Sequence, residues 1–147
     1  FKPTALMPPD AARELVSPQS QPLIQAVHDA GKPFLLHSCG CIFDVMEDII
    51  AAGIDAKHSN EDQIAPFTYW VGQYGDRIGN FGGIDTDAVC RLDSDAMFDY
   101  IQDVVSKSVG HGGFAFGSGN SIPDYVPADG YRSMNQSVRK SPGDCDA

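Results

Sequence analysis

One short run of the sequence, His37-Ser38-Cys39-Gly40-Cys41, concentrates side chains that are suited to bind a metal ion. In an extended stretch, residues spaced by two point to the same side, which would aim His37, Cys39 and Cys41 together. Imidazole and thiolate groups are good zinc ligands, and zinc binding deprotonates the thiol. A catalytic zinc needs three protein ligands, but a helix is predicted to begin at Cys41 and to turn it away. The run therefore predicts two metal ligands, His37 and Cys39.

The structural alternative is that neither His37 nor Cys39 binds a ligand. Free cysteines are among the most buried residues and often pack as small hydrophobic side chains. The imidazole of His37 would then hydrogen-bond to a neighbouring backbone group. The spacing of the two residues is compatible with both interpretations, and composition by itself favours the structural one.

A second polar run, 57–62, follows another predicted strand and is unusually hydrophilic for a strand end. His58 and Glu61 are its candidates for a general base or for contacts to a polar substrate group. The alternative is that residues 60–62 only cap the next helix, because acidic side chains favour the positive end of a helix.

A third run, Gly82-Gly83-Ile84-Asp85, would let the backbone approach a ligand closely, with Asp85 as a catalytic carboxylate beside it. The alternative is a tight turn in which Asp85 or Thr86 caps the following helix.

A fourth run, Gly117-Ser118-Gly119-Asn120-Ser121, is rich in glycine and can offer backbone donors to an anion. Gly117, Ser118 and Asn120 are its candidate cofactor-binding residues. It is not a Walker sequence, because no lysine follows it.

The elements that must position these four runs alternate between strand and helix after residue 30. The predicted strands are 33–37, 54–58, 77–81 and 112–117, and the predicted helices are 41–52, 62–74, 94–109 and 127–139. Residues 8–30 are predicted as two short helices or one sharp kink, because Pro18 and Pro22 interrupt the pattern. This alternation indicates an α/β fold with parallel strands. Ligands of such folds bind beyond the carboxyl ends of the strands, which is where the four runs lie.

Helix 94–109 has the clearest pattern, because one face of it is apolar and Ser94 or Asp93 can cap it. Its buried stripe is predicted to consist of Met97, Phe98, Ile101, Val104 and Val105. Four βα units are too few to close a (β/α)8 barrel, which needs about 250 residues. Either the other half of the barrel lies upstream, or two copies associate as a homodimer through the exposed sheet edges.

Composition restricts the partners. The net charge is −10, from 20 acidic and 10 basic residues. Such a field repels nucleic acid and anionic membrane surfaces. No apolar run approaches the ~18 residues of a membrane span. The chain has four cysteines without the spacing of a disulfide framework, which makes a cytoplasmic location the default. Residues 1–139 are predicted as one partial barrel, and 140–147 as a disordered tail.

Six blocks of the sequence carry a family resemblance. They are 32–40, 52–56, 74–78, 82–85, 112–114 and 123–127. In this order they resemble the C-terminal half of the uroporphyrinogen decarboxylase superfamily, which includes cobalamin-dependent methyltransferases that act on thiols. The resemblance implies that the chain supplies about the last four βα units of a (β/α)8 TIM barrel.

The resemblance also implies roles for particular residues. The methyltransferase branch holds zinc with a His-x-Cys pair, which His37 and Cys39 match, and with a later cysteine. That later position falls at Gly119, which has no ligand, and the decarboxylase branch has a histidine there. Glu61, Asp85 or an upstream residue would then have to complete the metal shell.

Charge distinguishes the two branches. Uroporphyrinogen carries many carboxylates, so its pocket needs cations, yet Lys57 is the only basic residue in the four runs. The expected parent is therefore a methyltransferase-like enzyme that uses zinc and a corrinoid methyl donor. Its expected partners are a small-molecule substrate and a corrinoid protein. Two alternatives remain: a decarboxylase that uses the same pocket without metal, and a folded half-barrel that is inactive by itself.

Overall fold

Four βα units follow one another in the computed structural model of the chain, which describes residues 8–15, 17–60 and 64–140. The strands are β1 (Leu35–His37), β2 (Ala56–His58), β3 (Gly79–Ile84) and β4 (Phe114–Ser118). The helices are α1 (Pro9–Leu15), α2 (Ser17–Asp29), α3 (Met46–Ala51), α4 (Phe67–Tyr74), α5 (Thr86–Arg91), α6 (Ser94–Ser108) and α7 (Ala128–Arg139). A 3₁₀ turn, Phe43–Val45, precedes α3.

The strands form one sheet in the order β1-β2-β3-β4, and every neighbouring pair is parallel. Sheet order therefore equals chain order, as expected when each connection crosses over through a helix. This topology confirms the prediction of an α/β fold built from successive βα units. In the described part of the chain, β1 and β4 each have one strand neighbour and form the two edges.

Two apolar clusters hold the helices against the sheet. In the first, Trp70 of α4 is fully buried, and its ring stacks on Phe43 at a centroid distance of 4.4 Å. In the second, Met97, Ile101 and Val105 of α6 are buried as predicted. The remaining members of the predicted stripe, Phe98 and Val104, are half-buried. The side chain of Asp93 caps α6 by accepting a hydrogen bond from Ala96 N at 2.9 Å, which confirms one of the two predicted caps.

The amino ends of β1 and β2 are joined by Asp55. Its carboxylate accepts hydrogen bonds from Phe34 N at 2.6 Å and from His28 Nε2 at 2.8 Å. The backbone N–H of Asp55 in turn donates to Phe34 O at 3.0 Å. The pKa of Asp55 lies below its ordinary value, first because Phe34 N–H donates to the charged form and second because His28 does. One carboxylate thus connects α2, β1 and β2.

The predicted strand 77–81 and the predicted loop 82–85 are wrong in their boundaries. Strand β3 continues through Gly82 and Gly83, which keep parallel partners in β4. Their φ values are +110° and +98°, a conformation in which glycine avoids the penalty for a Cβ. Strand β4 runs one residue beyond its predicted end at Gly117, so that Ser118 lies in a strand and not in a loop. Helix α5 was not predicted.

The predicted helix 41–52 starts later than expected. A 3₁₀ turn comes first, and α3 begins only at Met46, because Val45 has left the helical region with φ −122° and ψ 4°. Gly53 ends the helix as predicted, with φ +101°. The described part of the predicted helix 62–74 is helical from Phe67, after an extended Pro66 with ψ 145°.

The amino-terminal prediction of two short helices is confirmed by α1 and α2, although Pro22 is accommodated inside α2. None of the helices in residues 8–15, 17–60 and 64–140 is both long and apolar enough to cross a membrane. Of the predicted disordered tail, 140–147, Lys140 is ordered as the carboxyl-terminal cap of α7, and residues 141–147 lie outside the described part of the chain.

Replacement of Gly83 by alanine is expected to lower the free energy of unfolding by at least about 2 kcal/mol. A Cβ there would lie 2.7 Å from the Phe67 ring, at a positive φ that alanine avoids. Gly72 of α4 is the matched control, because a Cβ there has no atom within 4 Å, and alanine should raise helix stability by about 0.5–1 kcal/mol. Urea denaturation of both variants measures the difference, and equal stabilities would contradict the close packing of Gly83 against Phe67.

Asp55 is expected to make the free energy of unfolding depend on pH in the acidic range. Because its pKa is lowered in the folded state, its contribution is present above its ordinary value of 3.8 and is lost as the pH falls through and below that value. Unfolding measured between about pH 5 and pH 3 covers the range around the ordinary pKa of this carboxyl group. Asp55→Asn should show a smaller loss of stability over this window than the wild type. An unchanged pH dependence would contradict the assignment.

Candidate metal centre

The carboxyl ends of β1 and β2 place two imidazoles against each other. His37 and His58 are direct partners in the parallel ladder. Their Nδ1 atoms are 2.7 Å apart, and their ring centroids are 4.9 Å apart. This contact is a hydrogen bond between two side chains, and it differs from the backbone contact that the structural alternative expected for His37.

The sulfur of Cys39 lies near polar groups from the carboxyl ends of β1, β2 and β4. His37 Nε2 lies 3.5 Å from Sγ, Ser59 Oγ donates to it at 3.5 Å, and Asn120 Nδ2 donates to it at 3.7 Å. Cys39 is half-buried, so solvent reaches it only in part. Donors directed at sulfur stabilise negative charge on it. The surroundings of Cys39 are therefore polar and differ from those of a cysteine that packs as a small apolar side chain.

Cys41 is not part of this arrangement. Gly40 turns the chain between the two cysteines, with φ +85°, so the alternation of an extended stretch ends before Cys41. The predicted exclusion of Cys41 from the metal ligands agrees with this turn, although the cause is the glycine and not the start of a helix.

Lys57 holds the loop that carries Ser59. It is fully buried, and its ammonium donates to Ser59 O at 2.8 Å and to Asn60 Oδ1 at 3.0 Å. The ammonium also lies 4.2 Å from the centroid of the Trp70 ring. These contacts stabilise Ser59 at φ +73°, a conformation that residues other than glycine seldom adopt. The only basic residue of the four runs is thus enclosed by the protein and does not face a substrate.

Asp85 caps a helix. Its carboxylate accepts a hydrogen bond from Asp87 N at 2.9 Å and begins α5. The capping alternative is therefore confirmed for this residue. Glu61, the other carboxylate predicted to act in catalysis, lies outside the described residues.

The glycine-rich run uses its backbone donors within the protein. Gly119 N donates to Ile84 O at 2.6 Å, and Ser121 N donates to Asn120 Oδ1 at 2.8 Å. Ser118 O accepts from His58 Nε2 at 3.2 Å. These two N–H groups are consequently not available to an anion, and the predicted cofactor residues Ser118 and Asn120 instead contact His58 and Cys39.

Gly119 is closed to any side chain. A Cβ built on it would lie 2.7 Å from Asn60 O, and real Cβ atoms do not come that close without a shift of the backbone. The position at which the family resemblance places a third ligand is therefore filled by the carbonyl of a neighbouring loop. His58 does not replace that ligand, because both of its ring nitrogens are hydrogen-bonded.

His37 and Cys39 nevertheless fit a zinc ion as a pair. With Zn–N of about 2.0–2.1 Å and Zn–S of about 2.3 Å, tetrahedral coordination puts the two ligand atoms about 3.5 Å apart. The observed separation of His37 Nε2 from Cys39 Sγ is 3.5 Å. Among the described residues, no group of three or more His, Cys, Asp or Glu side chains is arranged to hold a metal ion. The described residues thus offer two candidate ligands and not a complete shell.

Sequence reasoning missed the role of Ser59 and the pairing of His37 with His58. Ser59 lies in a run that was singled out for its polarity, but nothing in its sequence indicated a contact to Cys39. The alignment of His37 with His58 depends on strand register, and the Asn120 contact joins loops that are 81 positions apart.

Replacement of Gly119 by alanine is expected to lower the free energy of unfolding by about 1–3 kcal/mol, because the Asn60 carbonyl must move. Gly117→Ala is the matched control, since a Cβ there has no atom within 4 Å, and its effect should stay within about 0.5 kcal/mol. Urea denaturation of both variants measures the contrast. A Gly119→Ala protein as stable as the control would show that the position can accept a side chain.

Comparisons with known proteins support the fold and the resemblance. A methyltransferase from Methanosarcina mazei superimposes with a TM-score of 0.72 at 18% sequence identity. The alignment covers 91% of this chain and 38% of the methyltransferase chain, as expected for part of a (β/α)8 barrel. No curated protein matches the chain in sequence. Residues 3–141 match the uroporphyrinogen decarboxylase (URO-D) family, and the chain therefore belongs to that family.

Proposed function

We propose that this chain provides His37 and Cys39 as zinc ligands to an enzyme that transfers a methyl group between a corrinoid and a thiol. The observation that carries the proposal is the 3.5 Å separation of His37 Nε2 and Cys39 Sγ, which suits two ligands of one tetrahedral ion. Membership of the URO-D family and the fold of a methyltransferase support it. The chain spans 38% of that methyltransferase, so the activity of a whole enzyme is part of the proposal.

Each residue around the proposed zinc ion has its own role. Cys39 binds as a thiolate, and the hydroxyl of Ser59 and the amide of Asn120 stabilise its charge. His37 binds through Nε2, while its Nδ1 is held by His58. Zinc bound there would supply the positive charge that keeps an acceptor thiol deprotonated at neutral pH.

The polar surroundings favour this chemistry over decarboxylation of a polycarboxylate. A ligand with many carboxylates needs exposed cations, preferably guanidinium groups. Lys57 is fully buried under Trp70. Arg13 of α1 pairs with Asp48 of α3. Arg77, which precedes β3 at its amino end, pairs with Glu47 of α3, so neither arginine lies at the carboxyl ends of the strands. The described strand-end residues thus offer hydrogen-bond donors to sulfur but no exposed cation for a carboxylate.

Metal binding tests the proposal directly. The purified 147-residue chain is expected to bind Co²⁺ as a spectroscopic substitute for zinc and to show a thiolate-to-cobalt charge-transfer band. Cys39→Ser should lose this band, and His37→Gln should weaken the binding of zinc and cobalt by about 10-fold or more. Cys90→Ser is the control, because Cys90 is a free, half-buried cysteine on α5, and it should bind like the wild type.

Two results would reject the proposal. One is the absence of bound cobalt and zinc in the wild type, and the other is a charge-transfer band that survives in Cys39→Ser. If cobalt binds but a protein extended upstream releases carbon dioxide from uroporphyrinogen, and transfers no methyl group, the ligands stand and the proposed methyl transfer is wrong.

A further inference from the structure

A chain of hydrogen bonds leads from the last strand of the sheet to the candidate zinc ligand on the first. Nε2 of His58 lies 3.2 Å from the carbonyl oxygen of Ser118. A carbonyl oxygen only accepts hydrogen bonds, so His58 Nε2 must carry a hydrogen atom. The neutral imidazole then has its lone pair on Nδ1, because a neutral ring holds one N–H. The backbone of β4 thereby fixes the tautomer of His58.

The same reasoning passes from His58 to His37. The two Nδ1 atoms are 2.7 Å apart, and the lone pair of His58 Nδ1 can only accept. His37 must therefore donate through Nδ1–H. Its Nε2 is left with a lone pair, and this nitrogen is the one that lies 3.5 Å from Cys39 Sγ. The opposite tautomer of His37 would direct an N–H at the sulfur and would have no lone pair there for a metal.

We infer that His58 is a positioning residue, which fixes His37 as the Nδ1–H tautomer and so prepares Nε2 to bind zinc beside Cys39. The inference rests on the proposed function in one respect, namely that zinc is the group that His37 meets. Histidine ligands of metals commonly donate their second N–H to a carboxylate or a backbone carbonyl. Here the imidazole of His58 is the acceptor, and the Ser118 carbonyl determines which of its nitrogens can accept.

The packing around Ser118 supports this relay. Ile84 and Ser118 are partners in the parallel ladder, and Gly119 N donates to Ile84 O at 2.6 Å, which fixes the backbone next to the Ser118 carbonyl. Gly82 leaves room for the contact. A Cβ there would lie 3.2 Å from Ser118 O and 3.6 Å from His58 Cδ2. Gly82, which was predicted to lie just after strand 77–81, thus lies against the hydrogen bond between His58 and Ser118.

The test is ¹⁵N NMR of the four histidine side chains in the metal-free 147-residue chain, at about pH 8.5, where free imidazole is neutral. The wild type should show His37 protonated at Nδ1 and His58 protonated at Nε2. His58→Asn can keep an acceptor oxygen near the position of Nδ1, and it should preserve the Nδ1–H form of His37. His58→Leu removes the acceptor and should return His37 to a mixture of tautomers.

Zinc affinity, measured by competition with a chromophoric chelator, gives the second readout. His58→Leu should bind zinc about 10- to 100-fold more weakly, and His58→Asn should recover most of that loss. If His58 only stabilised the fold, each variant would lose zinc affinity in proportion to its loss of stability, which thermal unfolding measures. Equal zinc affinities of the wild type and a folded His58→Leu would overturn the positioning role.

The two proposals fail in different ways. If His37 carries its hydrogen on Nε2 in the wild type, the relay is wrong even if zinc binds. If the tautomers are as inferred but no zinc binds to the wild type, the relay stands and the proposed metal function is wrong.

Discussion

The parallel register of β1 and β2 is the constraint on which the site depends. Side chains alternate along a strand, so a shift by one residue would turn His37 away from His58 and toward the helices. The register is fixed at the opposite end of the strands. Phe34 O accepts from Asp55 N at 3.0 Å and from Ala56 N at 3.3 Å, while Phe34 N donates to the Asp55 carboxylate. Contacts at the amino ends of the strands therefore determine which side chains meet at their carboxyl ends.

The buried side of the sheet contributes a second constraint. Lys57 and Asn80 are adjacent across β2 and β3 and are both fully buried. Buried polar groups are costly unless they are hydrogen-bonded, and Lys57 meets this requirement by donating to Ser59 O and Asn60 Oδ1. The same two bonds hold the strained backbone of Ser59 and direct its hydroxyl to Cys39. A strained backbone conformation persists when several surrounding contacts hold it, and for Ser59 these contacts include the ammonium of Lys57.

The sequence was sufficient for the parts of the fold that depend on local pattern. The apolar stripe of α6 and the strand–helix alternation predict the elements, and the strand-end rule identifies the run that contains His37 and Cys39. The double glycine of β3 was misleading, because Gly82 and Gly83 are typical of turns and yet keep a ladder at positive φ. The pairing of His37 with His58 needs the register, which no local pattern specifies. It follows that the polar residue types at the strand ends could be predicted and their hydrogen-bond partners could not.

The exposed face of the sheet indicates where a third ligand of the proposed zinc ion would come from. Leu35 and Phe81 lie on the face opposite the helix-covered core, and they are 48% and 37% exposed. In a closed (β/α)8 barrel, side chains on this face pack in layers against those of the strands opposite. Strands that cover Leu35 and Phe81 would bring their own carboxyl ends to the rim where His37 and Cys39 lie. A third ligand from that side would not need the Gly119 position, which the Asn60 carbonyl closes. For the proposed zinc ion, a third ligand is therefore expected on the opposite wall of the barrel, and the described strands would contribute His37 and Cys39, of which His37 is held by its contact with His58.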